Sequence, residues 1–149
     1  MSTTRPHLIA IDHDDYHAEF IGRTNNGLQF ILTDPFVPAE GGDPGCEFVA
    51  LYTFNSSGQL LEATIDSFGP RSQVDKEARE KVFMERLASL GDVSHERVEV
   101  SPFCVERFGY EFGLVARPPE DEGDVWAVVM QPGNYMAFFA PWDSGEYDT

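Results

Sequence analysis

Residues 46–66, CEFVALYTFNSSGQLLEATID, constrain the fold more than any other stretch of the chain. The first half is apolar on both faces of an extended strand, with Phe48, Ala50, Tyr52 and Phe54 on one side and Val49 and Leu51 on the other. A strand of this kind is covered on both faces and belongs in the middle of a sheet. Asn55, Ser56, Ser57 and Gly58 supply turn chemistry, since glycine takes a positive φ at no steric cost. The return half alternates, with Leu61, Ala63 and Ile65 inward and Glu62, Thr64 and Asp66 outward. That is the pattern of an antiparallel strand with one wet face.

The flanking sequence extends the β pattern. Residues 1–7 read as a loose start and 8–11 as a short strand. Residues 18–23 and 28–33 form a hairpin about Asn25, Asn26 and Gly27, because Asn-Gly between apolar runs is a strong hairpin signal. Residues 34–45 hold three prolines and three glycines, which excludes a helix or a central strand and leaves a long loop, a frequent place for function. After the central hairpin comes one helix, over about 74–90, whose apolar face carries Ala78, Val82, Phe83, Leu87 and Leu90. Gly91 stands at its C-terminal cap and Ser72, three residues before Asp75, at its N-cap. Opposite charges pair at Asp75/Arg79, Lys76/Glu80 and Glu77/Lys81, and half of the chain's ten basic residues lie between Arg71 and Arg86, which reads as a salt-paired solvent face. Strands resume over 96–101, 103–105, 108–116, 125–130 and 135–140. Phe108, Tyr110, Phe112 and Leu114 share one face, and Gly109 and Gly113 leave gaps on the other.

This order gives a single α+β domain over residues 1–149: an antiparallel, twisted, meander-like β-sheet with one main helix packed on it. The helix covers one side of the central hairpin, and a stacked or curled second sheet would cover the other.

Charge narrows the function. Ten basic against 26 acidic residues give a formal net charge of −16. This opposes binding to nucleic-acid backbones or anionic lipid and permits a basic partner or a cation. Two cysteines, Cys46 and Cys104, sit far apart in no metal-like spacing, so neither a disulfide framework nor a zinc knuckle is expected. No signal-peptide core or membrane-length apolar run is present, and a cytoplasmic protein is the expectation.

Three constellations bear on chemistry. Asp12, His13, Asp14, Asp15, Tyr16 and His17 form the densest polar cluster. His13 and His17 would meet on a helical turn and could then hold a divalent metal with nearby aspartates, although the spacing is not that of a zincin. The C-terminal stretch mixes aromatic and acidic side chains, Trp142, Asp143, Tyr147 and Asp148, which suits a cationic partner or a tail folded back into a groove. Cys46 or Cys104 with His17 or His95 would be a nucleophilic pair, but no local signature accompanies them, and a small apolar cysteine is the commoner case. Acid pairs such as Glu106 and Glu111 arise by chance among so many carboxylates.

The segments DHDDYHAEFIGR and FFAPWDSGEYDT, with VALYTFNSSGQLLEATID between them, resemble stretches of a group of small bacterial proteins labelled formate hydrogenlyase regulatory protein. The resemblance implies a bacterial, cytoplasmic, single-domain protein, and its label implies a transcriptional regulator. A single helix and an acidic surface do not fit DNA reading, so regulation through a protein partner is the more physical route. The sequence therefore reads as a non-enzymatic acidic protein-binding or regulatory domain, with no cofactor. An immunity-type protein masking a basic toxin is one concrete form. Asp12, Asp14, Asp15, Tyr16, Trp142, Asp143, Tyr147 and Asp148 would face the partner. A metal-binding protein or metal-dependent enzyme using His13 and His17 is the alternative.

Overall fold

The computed structural model describes residues 4–149. Of the loose start expected over 1–7, residues 1–3 lie outside the described residues, and 4–7 have no regular structure. The elements follow in the order β1 (Ile9–Ile11), β2 (Ile21–Thr24), β3 (Gln29–Thr33), β4 (Phe36–Val37), β5 (Cys46–Phe54), β6 (Leu60–Ser67), a 3-10 turn (Arg71–Gln73) and α1 (Lys76–Ser89). Beyond the helix come β7 (Val93–His95), β8 (Val98–Val100), β9 (Val105–Arg107), β10 (Tyr110–Arg117), β11 (Ala127–Gln131) and β12 (Ala137–Phe138). The named strands pair antiparallel throughout, so the α+β class holds.

β5 is the central strand, as its two apolar faces require. It pairs β6 along one edge and β3 along the other, followed by β2 and β7, while β4 joins its first residues. A four-stranded sheet, β12-β11-β10-β9, and the pair β1-β8 complete the fold. These two supply the cover that the sequence left open. Phe48, Ala50, Tyr52 and Phe54 pack with Phe112, Leu114, Val128, Met130 and Phe138, and with Ile9, Ile11, Val98 and Val100. The opposite face, Val49 and Leu51 with Phe30 and Leu32, is covered by Val82, Phe83, Leu87 and Leu90 from the helix segment.

Turn chemistry sets the joints. Asn55 accepts the N–H of Ser57 and Gln59 on its side chain, and Gly58 takes φ +89°. A Cβ at Gly58 would lie 2.7 Å from the Glu99 carbonyl oxygen and 3.0 Å from Val100 Cα. The central turn is therefore pressed against β8, and the Gly58 carbonyl accepts the N–H of Ser101 at 2.8 Å.

Several expectations are corrected. Leu61 is 55% exposed, because a bulge between Thr53 and Phe54 sets Leu60 opposite Phe54 and turns Leu61 outward. The helix is capped by Asp75, whose carboxylate accepts the Ala78 N–H, and Ser72 lies in the preceding 3-10 turn. Arg79 and Arg86 do not belong to a solvent-facing ladder. They turn to the sheet and meet Glu47 and Asp66. Phe108 is not a strand residue. Phe108 (φ +56°) and Gly109 (φ +82°) make the two-residue turn between β9 and β10. The gap at Gly113 is used as expected, with the Phe103 carbonyl and ring packed where a Cβ would sit.

Candidate functional site

The two terminal stretches adjoin. The Ala10 N–H donates to the Trp142 carbonyl at 2.9 Å and the Asp12 N–H to the Gly145 carbonyl at 3.0 Å, so the tail runs parallel to β1 at Ile11 and Gly145. Farther on, Asp148 bridges to Ala137 at the edge of β12. Arg97 clamps the junction from the side, with one guanidinium nitrogen 2.8 Å from Asp12 Oδ1 and another donating to the Asp143 carbonyl.

The predicted residues separate by what they touch. Asp14 orders the loop: its Oδ1 accepts the N–H of Tyr16 at 2.9 Å and of Ala18 at 3.0 Å, and its Oδ2 accepts the Tyr147 hydroxyl. Burial pushes the Asp14 carboxyl up, but these hydrogen bonds outweigh it and leave the group below the usual carboxylate range. For Tyr147, burial and the Asp14 bond push the phenol up to about 12. Trp142 and Tyr147 are partly buried against the core, which is the folded-back arrangement of the tail. Asp12, Asp15, Tyr16, Asp143 and Asp148 are exposed.

His13 and His17 do not meet. The segment closes through the Asp14 N–H to the Ala18 carbonyl instead of forming a helix. His13 bonds the Glu19 carbonyl oxygen at 2.9 Å, and its ring lies 5.6 Å from that of His95. The His17 ring lies 3.8 Å from Tyr16 and 5.3 Å from Tyr135. Among the described residues no group of three or more His, Cys, Asp or Glu side chains is arranged to hold a metal ion. The cysteines are equally separate. Cys46 is buried, with its sulfur 3.2 Å from Ser67 Oγ. Cys104 is exposed and donates to Glu111 at 3.4 Å, and burial together with that carboxylate raises its thiol pKa, the reverse of an activated nucleophile.

A cleft of about 770 Å³ opens beside the merged termini and shares Tyr16 and His17 with them. Sequence reasoning did not find it, because its walls come from separate segments. Phe20 and Phe83, 4.9 Å apart edge to face, join the loop after β1 to the helix. Asp34, just after β3, and Phe36, at the start of β4, add to the lining, as does Tyr135, whose hydroxyl lies 2.9 Å from Thr33 Oγ1. Tyr16 is 65%, Met84 52% and Phe36 42% exposed, so three of the large apolar side chains left open to solvent are gathered here.

Arg79, on the wall of the cleft, is tied to a buried carboxylate that does not line it. Glu47, on β5, is held by Arg71 at 3.0 Å and by Arg79. An acid in an otherwise apolar central strand was the signal that sequence reasoning passed over. Arg71 also stacks on Phe36, with its guanidinium carbon 4.0 Å from the ring centroid. Asp34 reaches the open side of the cleft, yet the protein around it displaces much of its water. This burial raises the carboxyl above the usual range, with Arg79 acting against the shift.

Among the described residues no helix is long and apolar enough to cross a membrane. Comparison with family models, with curated proteins and with solved structures finds no match.

Proposed function

We propose that the protein is a non-enzymatic binding module that holds a protein partner with a basic surface. One observation carries the reading: two acid- and aromatic-rich stretches joined through Tyr147 and Asp14, 133 residues apart, form one patch. Asp12, Asp15, Asp143 and Asp148 are exposed on it, with Tyr16 as an open aromatic. Opposite charge steers association and selects against acidic competitors, and an exposed tyrosine offers rigid contact area at low entropic cost. An immunity-type inhibitor that masks a cationic active site would be one instance.

The test compares wild type with a variant carrying Asp15→Lys, Asp143→Lys and Asp148→Lys. None of these side chains takes part in the hydrogen bonds that order the loop, so the fold is expected to survive. Capture from the source cell's extract is run at low and at high salt, and bound proteins are identified. The expected result is a basic protein held by wild type at low salt, released by salt and lost with the charge reversal. Capture that ignores both salt and the reversal would reject the proposal.

A further inference from the structure

We infer that the cleft beside the acidic patch seats the guanidinium of an arginine on the partner protein, an assignment that rests on the binding role argued above. Three carboxylates, Glu19, Asp34 and Glu80, line the cleft, and its one arginine, Arg79, is already committed to Glu47 together with Arg71. Asp34 makes no ion pair among the described residues. Around it stand faces suited to a flat cation: Tyr16 on His17, Tyr135 beside them, and Phe36 on the rim. Phe36 already binds one guanidinium, that of Arg71, and 42% of the residue is still exposed. The apolar stem of an arginine would lie along Phe83 and Met84 while its head group met Asp34.

Other occupants fit less well. An anion would face three carboxylates. An apolar side chain would cover Asp34 without giving it a donor, which is costly for a carboxylate. The cleft's acids are not grouped as metal ligands. Arginine is preferred over lysine because the guanidinium is planar, more weakly hydrated and able to stack while donating to a carboxylate.

The experiment follows amide chemical shifts of the full chain during titration with the peptide acetyl-Gly-Arg-Gly-amide. Matched peptides carry citrulline or lysine in place of arginine. Shifts are expected at residues 16–20, 33–36, 79–84 and 133–135. Binding should fall at least about tenfold with citrulline, which keeps the shape and loses the charge. Asp34→Asn should weaken arginine binding by about the same factor, and Tyr16→Ala, a change at an exposed ring, by less. Equal binding of citrulline, equal binding of lysine, or shifts confined to the terminal patch would overturn the inference. Loss of the partner in the lysine-reversed variant, with no peptide response in the cleft, would leave the patch standing and remove the arginine site alone. A cleft that binds arginine while the reversed variant still captures the same proteins would remove the patch instead.

Discussion

The Tyr147 hydroxyl donates to the Asp14 carboxylate, and the His17 N–H reaches the same phenol oxygen at 3.3 Å. The tail is thereby latched to the loop that carries most of the candidate residues. Tyr147→Phe keeps the ring and removes both contacts. We expect a loss of about 1–2 kcal/mol, toward the lower end for a hydrogen bond to a charged acceptor because the site is partly exposed. Chemical denaturation would measure it, and an unchanged midpoint would show that the latch contributes nothing.

Asp14 gives this latch a pH dependence. Its carboxyl lies below the ordinary value of 3.8 in the folded chain. A depressed acid contributes stability above its unfolded pKa and loses it as pH falls through the folded value. The melting temperature of wild type should therefore drop on acidification below about pH 4, by more than that of Asp14→Asn. Asp15→Asn, one residue away and exposed, should follow wild type.

Glu47 lies between two guanidinium groups under the start of the helix. Glu47→Gln leaves Arg71 and Arg79 facing each other without the charge that holds them. Breaking a fully buried pair costs about 3–5 kcal/mol, and the partial exposure of both arginines brings the expected loss to about 2–3 kcal/mol. Arg79→Met, which removes one cation and keeps the stem, should cost less. Calorimetry of both variants checks the order.

Two turn glycines have similar φ values and different surroundings. A methyl group added at Gly27 (φ +83°) would meet nothing within 4 Å, whereas one at Gly58 would meet the backbone of Glu99 and Val100 at 3.0 Å or less. Gly27→Ala should cost about 1 kcal/mol, the conformational term alone. Gly58→Ala should cost well beyond that, because β8 has to move. Equal losses in a urea titration would contradict the packing of the turn on β8.

Thiol labelling distinguishes the cysteines. Cys104 is exposed, but burial and Glu111 raise its pKa, so its alkylation at neutral pH should be slower than that of a free cysteine. Glu111→Gln should speed the reaction. Cys46 should react only on unfolding.

The fold was legible where local chemistry and burial agree. The two-faced strand of residues 46–54 became β5, the period of Val82, Phe83 and Leu87 became the face that covers it, and Asn26-Gly27 became a turn. It was illegible where one residue satisfies two patterns. Phe108 continues the alternation of Tyr110 and Phe112, yet the next residue is a glycine at positive φ, and the turn prevails. Leu61 alternates correctly and is displaced by a bulge that nothing in the hairpin's own sequence announces. The candidate patch was half legible: its two stretches stood out by composition, but their meeting depends on backbone bonds between Ala10 and Trp142 and between Asp12 and Gly145. The cleft was not legible, since Tyr16, Asp34, Phe83 and Tyr135 share no local pattern.

The parallel seam between Ile11 and Gly145 also sets an order of events during synthesis. As the chain leaves the ribosome, Ile9–Ile11 can pair with Val98–Val100 only after those residues have emerged, and with the stretch about Gly145 later still. Contacts so distant in sequence pay their loop-closure entropy late and slow folding. Ile9, Ala10 and Ile11, all buried in the finished molecule, therefore wait as an uncovered apolar strand, flanked by the charged segment that begins at Asp12. Charges that flank an apolar strand oppose edge-to-edge association while it is uncovered.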